Sequence, residues 1–219
     1  MSRIQDPVAF ILKETRVKPV PHAEEILLHV ADEAMDLWQK TEEELGDLGL
    51  PPPFWAFAWA GGQGLARYIL DNPALVAGKR VVDFACGSGL VGIAAMKAGA
   101  ATCHCVDIDP FALEATRLNG ALNEVTLSAE TADITGAAVP EADLVICGDV
   151  FYDRQMADKV LGFLDRLQAA GIDVLVGDPG RSYLPQSRLL ELAAYQVPVV
   201  GALEDNEIKR TRVFRLTKK

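Results

Sequence analysis

Asp83-Phe84-Ala85-Cys86-Gly87-Ser88-Gly89-Leu90-Val91-Gly92 decides the fold of this 219-residue chain. The apolar run that opens at Arg80-Val81-Val82 reads as a buried strand. It reaches a carboxylate, passes through a glycine loop and enters a helix running to about Ala98. Gly87, Gly89 and Gly92 form G-x-G-x-x-G in the context that gives the pattern meaning, after a strand and opening a helix. Glycine at these positions lets the backbone turn tightly and come close to a ligand.

Downstream of this loop, strand and helix signals alternate. Residues 102–106, 125–129, 143–147 and 172–176 read as strands, and 110–122 and 155–169 as helices. Residues 187–194 read as a further helix, with 197–201 and 211–216 as the last two strands. Strands linked by helical crossovers build a mostly parallel α/β sheet of seven strands, and such doubly wound sheets take ligands beyond the carboxyl ends of their strands. Upstream, residues 1–50 read as an N-terminal extension and 51–219 as the domain proper. The extension holds a short helix over 7–14, capped by Asp6 with Pro7 in its first turn. Residues 25–30 fit either strand or helix, and 32–45 read as a helix ending at Gly46. Three prolines at 51–53, the aromatic run Phe54-Trp55-Ala56-Phe57-Ala58-Trp59 and a helix over 63–70 lead into the first sheet strand.

Composition narrows the function classes. Twenty-one basic against thirty-one acidic side chains leave a formal charge of −10, and no basic stripe offsets it, so a nucleic-acid partner is not expected. The cluster Lys209, Arg210, Arg212 and Arg215 reads as a solvated edge strand. No apolar run approaches the ~18 residues of a membrane helix, and Val8 to Leu12 is too short for a signal core, so a cytoplasmic protein without a membrane partner is expected. Cys103 and Cys105 share one strand face with His104 on the other, and no second cluster completes a ligand set. The four cysteines therefore read as buried thiols, with no metal expected.

The acids choose the ligand. A dinucleotide would place its pyrophosphate on the glycine loop, next to Asp83, where two like charges ~5 Å apart cost roughly 3 kcal/mol at an effective dielectric near 20. S-adenosylmethionine has no phosphate and carries a sulfonium and an ammonium against one carboxylate, so an acidic neighbour attracts it and disfavours an NAD-dependent oxidoreductase. Asp107, ending the second strand, stands where a ribose-binding carboxylate belongs, with Ile108 behind it to pack on the adenine. Asp109-Pro110 reads as the cap of the next helix. Asp133 fits either an acceptor for the adenine amino group or a plain loop aspartate.

The stretch Asp83 to Gly89 resembles the glycine-rich motif of class I S-adenosylmethionine-dependent methyltransferases, with Ala85 where that family has its first glycine, a substitution read as sterically small. Residues 80–217 are similar to the family's Rossmann-like, doubly wound, seven-stranded, mostly parallel sheet with an antiparallel last strand. Phe54 to Gln63 is similar to the aromatic Trp-x-Gly-Gly segment of seven-strand protein-lysine methyltransferases, and Asp149-Val150-Phe151-Tyr152 to their acid-x-x-aromatic motif. Gly177-Asp178-Pro179-Gly180-Arg181 resembles a segment of the electron transfer flavoprotein β-subunit lysine methyltransferases. The resemblance implies a protein-lysine N-methyltransferase using S-adenosyl-L-methionine, acting on electron transfer flavoprotein β subunit with a ribosomal protein as a second target. A small-molecule N-methyltransferase is the alternative. The expected cofactor contacts are Trp59, Gly61, Asp83, Gly87, Ser88, Gly89, Asp107, Ile108 and Asp133, and the expected catalytic residues are Asp149 and Tyr152.

Overall fold

A computed structural model describes residues 6–31, 52–199 and 208–217. It opens with helix α1 (Pro7–Glu14), capped by Asp6, whose side chain accepts from the Ala9 N–H at 3.0 Å, as the sequence indicates. Strands β1 (Thr15–Val20) and β2 (Ala23–Ala31) follow as an antiparallel hairpin. Residues 25–30, left open by the sequence, are thus strand. The expected helix over 32–45 lies outside the described residues. The next α-helix among the described residues, α2 (Ala60–Asp71), leads to β3 (Arg80–Phe84), α3 (Leu90–Lys97), β4 (Thr102–Asp107) and α4 (Pro110–Leu122). Then come β5 (Ser128–Thr131), β6 (Leu144–Gly148), α5 (Arg154–Ala169), β7 (Asp173–Asp178), β8 (Leu189–Pro198) and β9 (Ile208–Leu216).

The main sheet has seven strands in the order β5-β4-β3-β6-β7-β9-β8. Strands β3 to β7 pair in parallel, and the last strand, β9, runs antiparallel to both its neighbours, as expected. Parallel strands must be covered on both faces, which is why they read as unbroken apolar runs. Side-chain alternation then sorts each strand between two cores. Val81, Cys103, Cys105, Leu144 and Ile146 face the layer of α2 and α3. Val82, Val106, Val145 and Cys147 face α5, with its Val160 and Phe163. The alternation predicted for Cys103 and Cys105 holds, and His104 turns the other way, toward Ser128 and Glu130.

Two sequence expectations are overturned. Residues 187–194 were read as a helix because Leu, Glu and Ala are good helix formers, yet most of this segment belongs to β8, paired with β9 from Leu189↔Leu216 to Pro198↔Ile208. Tertiary pairing outweighs local propensity there, and most of the expected helix and the start of the strand expected at 197 form one strand, Leu189–Pro198. The basic cluster Lys209 to Arg215 is not an edge, since β9 lies between β7 and β8. Its Arg210 and Arg212 face Glu191 of β8, both at 3.8 Å.

The N-terminal hairpin leans on α4. Asn119 on that helix and Asn123 at its C-cap, both buried, bond the backbone of β2: Asn119 Oδ1 accepts from the His29 N–H (2.8 Å) and Asn123 Oδ1 from the Leu27 N–H (3.0 Å). Trp55, fully buried, closes a third core against α1 and α4, its ring stacked on Phe111 at 6.2 Å.

Candidate active site

Strand β3 has β4 on one side and β6 on the other, so the chain's winding direction reverses at its carboxyl end. A cavity of about 300 Å3 opens there. Its floor begins with Asp83, 2% exposed, whose Oδ2 accepts from the Gly92 N–H in the first turn of α3 at 2.8 Å. Burial pushes this carboxyl up to about 7; Asp107 adds to the rise and the Gly92 N–H opposes it.

The glycine loop has the geometry its residues require. Gly87 and Gly89 hold φ of +52° and +77°, in the left-handed region. Gly92 admits close packing of helix on strand, because a Cβ there would come 2.9 Å from Cys105 Sγ and 3.0 Å from Asp83 Oδ2. Ala85 corrects the sequence reading. It sits at φ +54°, where a Cβ costs about 1 kcal/mol, so alanine in place of the first glycine strains the backbone rather than changing little. Helix α4 braces the loop: Thr116 Oγ1 donates to the Gly87 carbonyl (3.2 Å) and Asn119 Nδ2 to that of Ser88 (2.9 Å).

Asp107 closes the next wall. Its Oδ2 accepts from the Gly87 N–H (2.9 Å) and its Oδ1 from the Asp109 N–H (3.0 Å), which joins the ends of β3 and β4 through one carboxylate. Burial raises it above the ordinary range. Ile108 stands 60% exposed on the same wall. Asp109 caps α4, accepting from the Phe111 N–H at 2.8 Å, and burial, with Asp107 beside it, raises it to about 7.

Four rings meet at the mouth. Phe54 lies 5.8 Å from Trp59 and 5.3 Å from Tyr152, and Phe57 lies 5.8 Å from Trp59. Trp59 is pinned by its Nε1–H, which donates to the Phe54 carbonyl at 2.8 Å. Asp149, just past β6, sits at φ +57°, where aspartate is tolerated better than most residues. Its Oδ2 accepts from the Gly62 N–H (3.0 Å) at the start of α2. Its Oδ1 accepts from Arg181, at 2.9 Å from Nη2 and 3.3 Å from Nε. The Arg181 guanidinium also lies 5.8 Å over the Trp59 ring. Asp178, ending β7, sets that arginine: its Oδ1 accepts from the N–H groups of Gly180 (2.6 Å) and Arg181 (2.7 Å), and burial raises its carboxyl to about 6.

Trp59, Asp83, Gly87, Ser88, Asp107, Ile108, Asp149 and Tyr152 thus come together on the cavity wall. Three other expected residues stand off it. Gly89 turns the loop behind the wall. Gly61 is a packing glycine: a Cβ there would overlap the Gly177 carbonyl and the Asp149 carboxylate, so its absence lets α2 reach β7 and hand the Gly62 N–H to Asp149. Asp133 caps a short 3-10 turn, accepting from the Thr135 N–H at 2.9 Å, and pairs with Lys159 at 3.7 Å. Phe54, Phe57, Cys86 and, above all, Arg181 also line the cavity, although the sequence places them only within longer motifs and without a site role. The available signal was a lone cation after a Gly-Asp-Pro-Gly turn at a strand's carboxyl end in an acidic chain.

Among the described residues on the wall, four aspartates face one basic side chain, Arg181. Buried acids held above their usual pKa favour a cationic occupant, which suits a sulfonium and an ammonium and opposes a pyrophosphate. The strand order, glycine loop and acid-ended strands define a class I S-adenosylmethionine-dependent methyltransferase, with S-adenosyl-L-methionine as its cofactor.

Comparison with known proteins carries this to the family. The chain is 40% identical over 178 residues to the electron transfer flavoprotein beta subunit lysine methyltransferase of Xenopus laevis, covering 80% of this chain and 71% of that one. It is 32% identical over 237 residues to the homolog of that enzyme in Caenorhabditis elegans, with 94% of each chain covered. It belongs to the electron transfer flavoprotein beta subunit lysine methyltransferase family. Residues 68–153 also match the ribosomal protein L11 methyltransferase (PrmA) family. In fold it is similar to the ribosomal protein L11 methylase of Lactobacillus delbrueckii subsp. bulgaricus (TM-score 0.53, 18% identity, 74% of this chain and 81% of that one). It is also similar to a Pyrococcus abyssi tRNA (uracil-54, C5)-methyltransferase (TM-score 0.52, 18% identity, 71% and 38% covered).

Proposed function

We propose that the protein transfers a methyl group from S-adenosyl-L-methionine to a lysine Nζ of the electron transfer flavoprotein β subunit. The observation that carries this reading is that the touching rings of Phe54, Trp59 and Tyr152 and the Asp149 carboxylate line one cavity together with the glycine loop. Relatives named for that substrate give its identity, and the acidic chain suits a basic, lysine-bearing partner.

A lysine with a free pKa near 10.4 must lose a proton before it attacks, which costs about 5 kcal/mol at pH 7. Apolar and aromatic walls favour the neutral amine by desolvation. In this reading Asp149 receives the incoming amine, Tyr152 lines the channel and orients it, and Trp59 stabilises developing positive charge through its π face. Bound S-adenosyl-L-methionine supplies the methyl group. Asp107 offers acceptor capacity to the ribose, Ile108 its side chain to the adenine, and Asp83 with the Gly87–Ser88 backbone a negative wall to the methionine end. The net charge of −10 disfavours a nucleic-acid partner, and no helix among the described residues is long and apolar enough to cross a membrane.

The test is labelled methyl donor with purified electron transfer flavoprotein and with cell lysate. Label on a lysine of the β subunit supports the proposal; label confined to small molecules favours a metabolite amine. The match to the PrmA family favours a ribosomal protein as a second target, which would appear as a second labelled band.

A further inference from the structure

An ion pair within the protein spans the mouth of the cavity. Arg181 closes on Asp149 with two hydrogen bonds to Oδ1, while the Gly62 N–H holds Oδ2. Neither partner is a surface group, with side chains 20% and 11% exposed, so solvent screens the pair weakly. Arg181 is not on a loose loop either. Asp178 fixes its backbone, and the guanidinium lies over Trp59, the aromatic wall of the same channel. An arginine placed this way against the carboxylate that meets the substrate changes what that carboxylate does. A bare aspartate would bind a lysine ammonium and stabilise its charge, which delays the loss of the proton. An aspartate already neutralised by arginine retains an oxygen to orient an N–H but gives an ammonium no net counter-charge, and the guanidinium repels it.

We propose that Arg181 is a positioning residue acting through Asp149: by neutralising that carboxylate it makes the channel admit the substrate lysine as a free amine. The inference rests on the placement of the lysine given above. In the step concerned, one N–H bond of the ammonium breaks, the proton goes to solvent, and nitrogen keeps the electron pair that attacks the methyl carbon. The other ionisable groups that interact with the pair are Asp178 at the end of β7 and Tyr152 after β6, while Asp83 and Asp107 line the same cavity from β3 and β4. Burial raises the Asp83 and Asp178 carboxyls to about 7 and about 6, still on the acid side of the amine.

The experiment is the pH profile of kcat, which reports groups in the enzyme–substrate complex, from pH 6 to pH 9.5 with saturating electron transfer flavoprotein β subunit and methyl donor. Arg181→Gln should move the alkaline rise upward by about one pH unit, lowering kcat roughly tenfold at pH 7 and much less at pH 9.5, with KM for the protein substrate unchanged or lower. Arg181→Lys, which keeps the charge, should restore most of the wild-type profile. S-adenosylhomocysteine binding and thermal melts, measured on both variants, report folding and the cofactor site separately. An unshifted profile in Arg181→Gln overturns the proposal. So does a tenfold loss of S-adenosylhomocysteine affinity with no shift, which would make the guanidinium a clamp for the cofactor's carboxylate. If Arg181→Gln does not fold, Arg181→Met read in the same way decides. Absence of any methylation of the β subunit by the unaltered enzyme would instead reject the substrate assignment.

Discussion

The two halves of the active site are built on opposite principles. On the β3–β4 side the residues that line the cavity lie within a single run from Asp83 to Ala112, and its acids are held by backbone N–H groups of that run. On the β6–β7 side the site is assembled from three separate segments: the aromatic run at 54–59 with the start of α2 that continues it, the loop after β6 and the turn after β7. Its central carboxylate is held by a guanidinium 32 residues away in the chain. A ligand shared by many enzymes can be held by one local motif. An acceptor site, which differs between enzymes, is made from loops that a parallel sheet brings to its carboxyl edge.

The difference predicts that mutations on the two sides separate binding from turnover. Asp149→Asn should lower kcat by about 100-fold while S-adenosylhomocysteine affinity, measured by calorimetry, changes by less than about twofold. Equal small losses in both would remove Asp149 from the acceptor side. Asp107→Ala should do the reverse, weakening cofactor binding by roughly 10- to 100-fold through the loss of charged hydrogen bonds, with kcat at saturation close to wild type. A collapse of kcat there would erase the distinction between the halves.

Smaller effects come from pH and from one strained residue. Asp83 and Asp109 at about 7 and Asp178 at about 6 are all raised by burial, so the folded chain binds more protons than the unfolded one above pH 4. Their effect on stability is absent below about pH 4, grows unfavourable as pH rises toward the folded values of about 6 and 7, and levels off above them. The melting temperature of the ligand-free protein should therefore fall by several degrees from pH 5 to pH 8, and Asp83→Asn should flatten that slope. A melting temperature that rises over this interval would show that these acids are not held protonated. Ala85→Gly relieves a left-handed φ at the head of the glycine loop and should raise stability by up to about 1 kcal/mol, or about 2–4 °C in melting temperature. Unchanged or lower stability would place the strain elsewhere.

This division also explains what was legible in the sequence. The parallel strands and the helices between them show as apolar runs and capped amphipathic segments, and Asp109 and Asp153 cap α4 and α5 through their side chains. The glycine loop and its two acids could be read because each residue's duty is local. The 187–194 segment could not, because β9 rather than its own composition makes it a strand. Gly61 was read as a cofactor contact, while its close approach to Gly177 is visible only once α2 lies across β7. Arg181 stayed hidden for the same reason. Nothing in a Gly-Asp-Pro-Gly-Arg turn says that its arginine will meet a carboxylate after the previous strand. The positive φ of Ala85 and Asp149 is likewise a property of the folded loops, not of residue types that advertise it.

The central claim is that a buried acidic wall beside the glycine loop receives the cationic methyl donor, and proton linkage tests it most directly. Titration of S-adenosylmethionine into the protein at pH 6.5, in buffers of different ionisation enthalpy, should show net proton release as Asp83 ionises opposite the positive ligand, with most of that release gone in Asp83→Asn. Net proton uptake by the unaltered protein, or a release that Asp83→Asn leaves untouched, would contradict it.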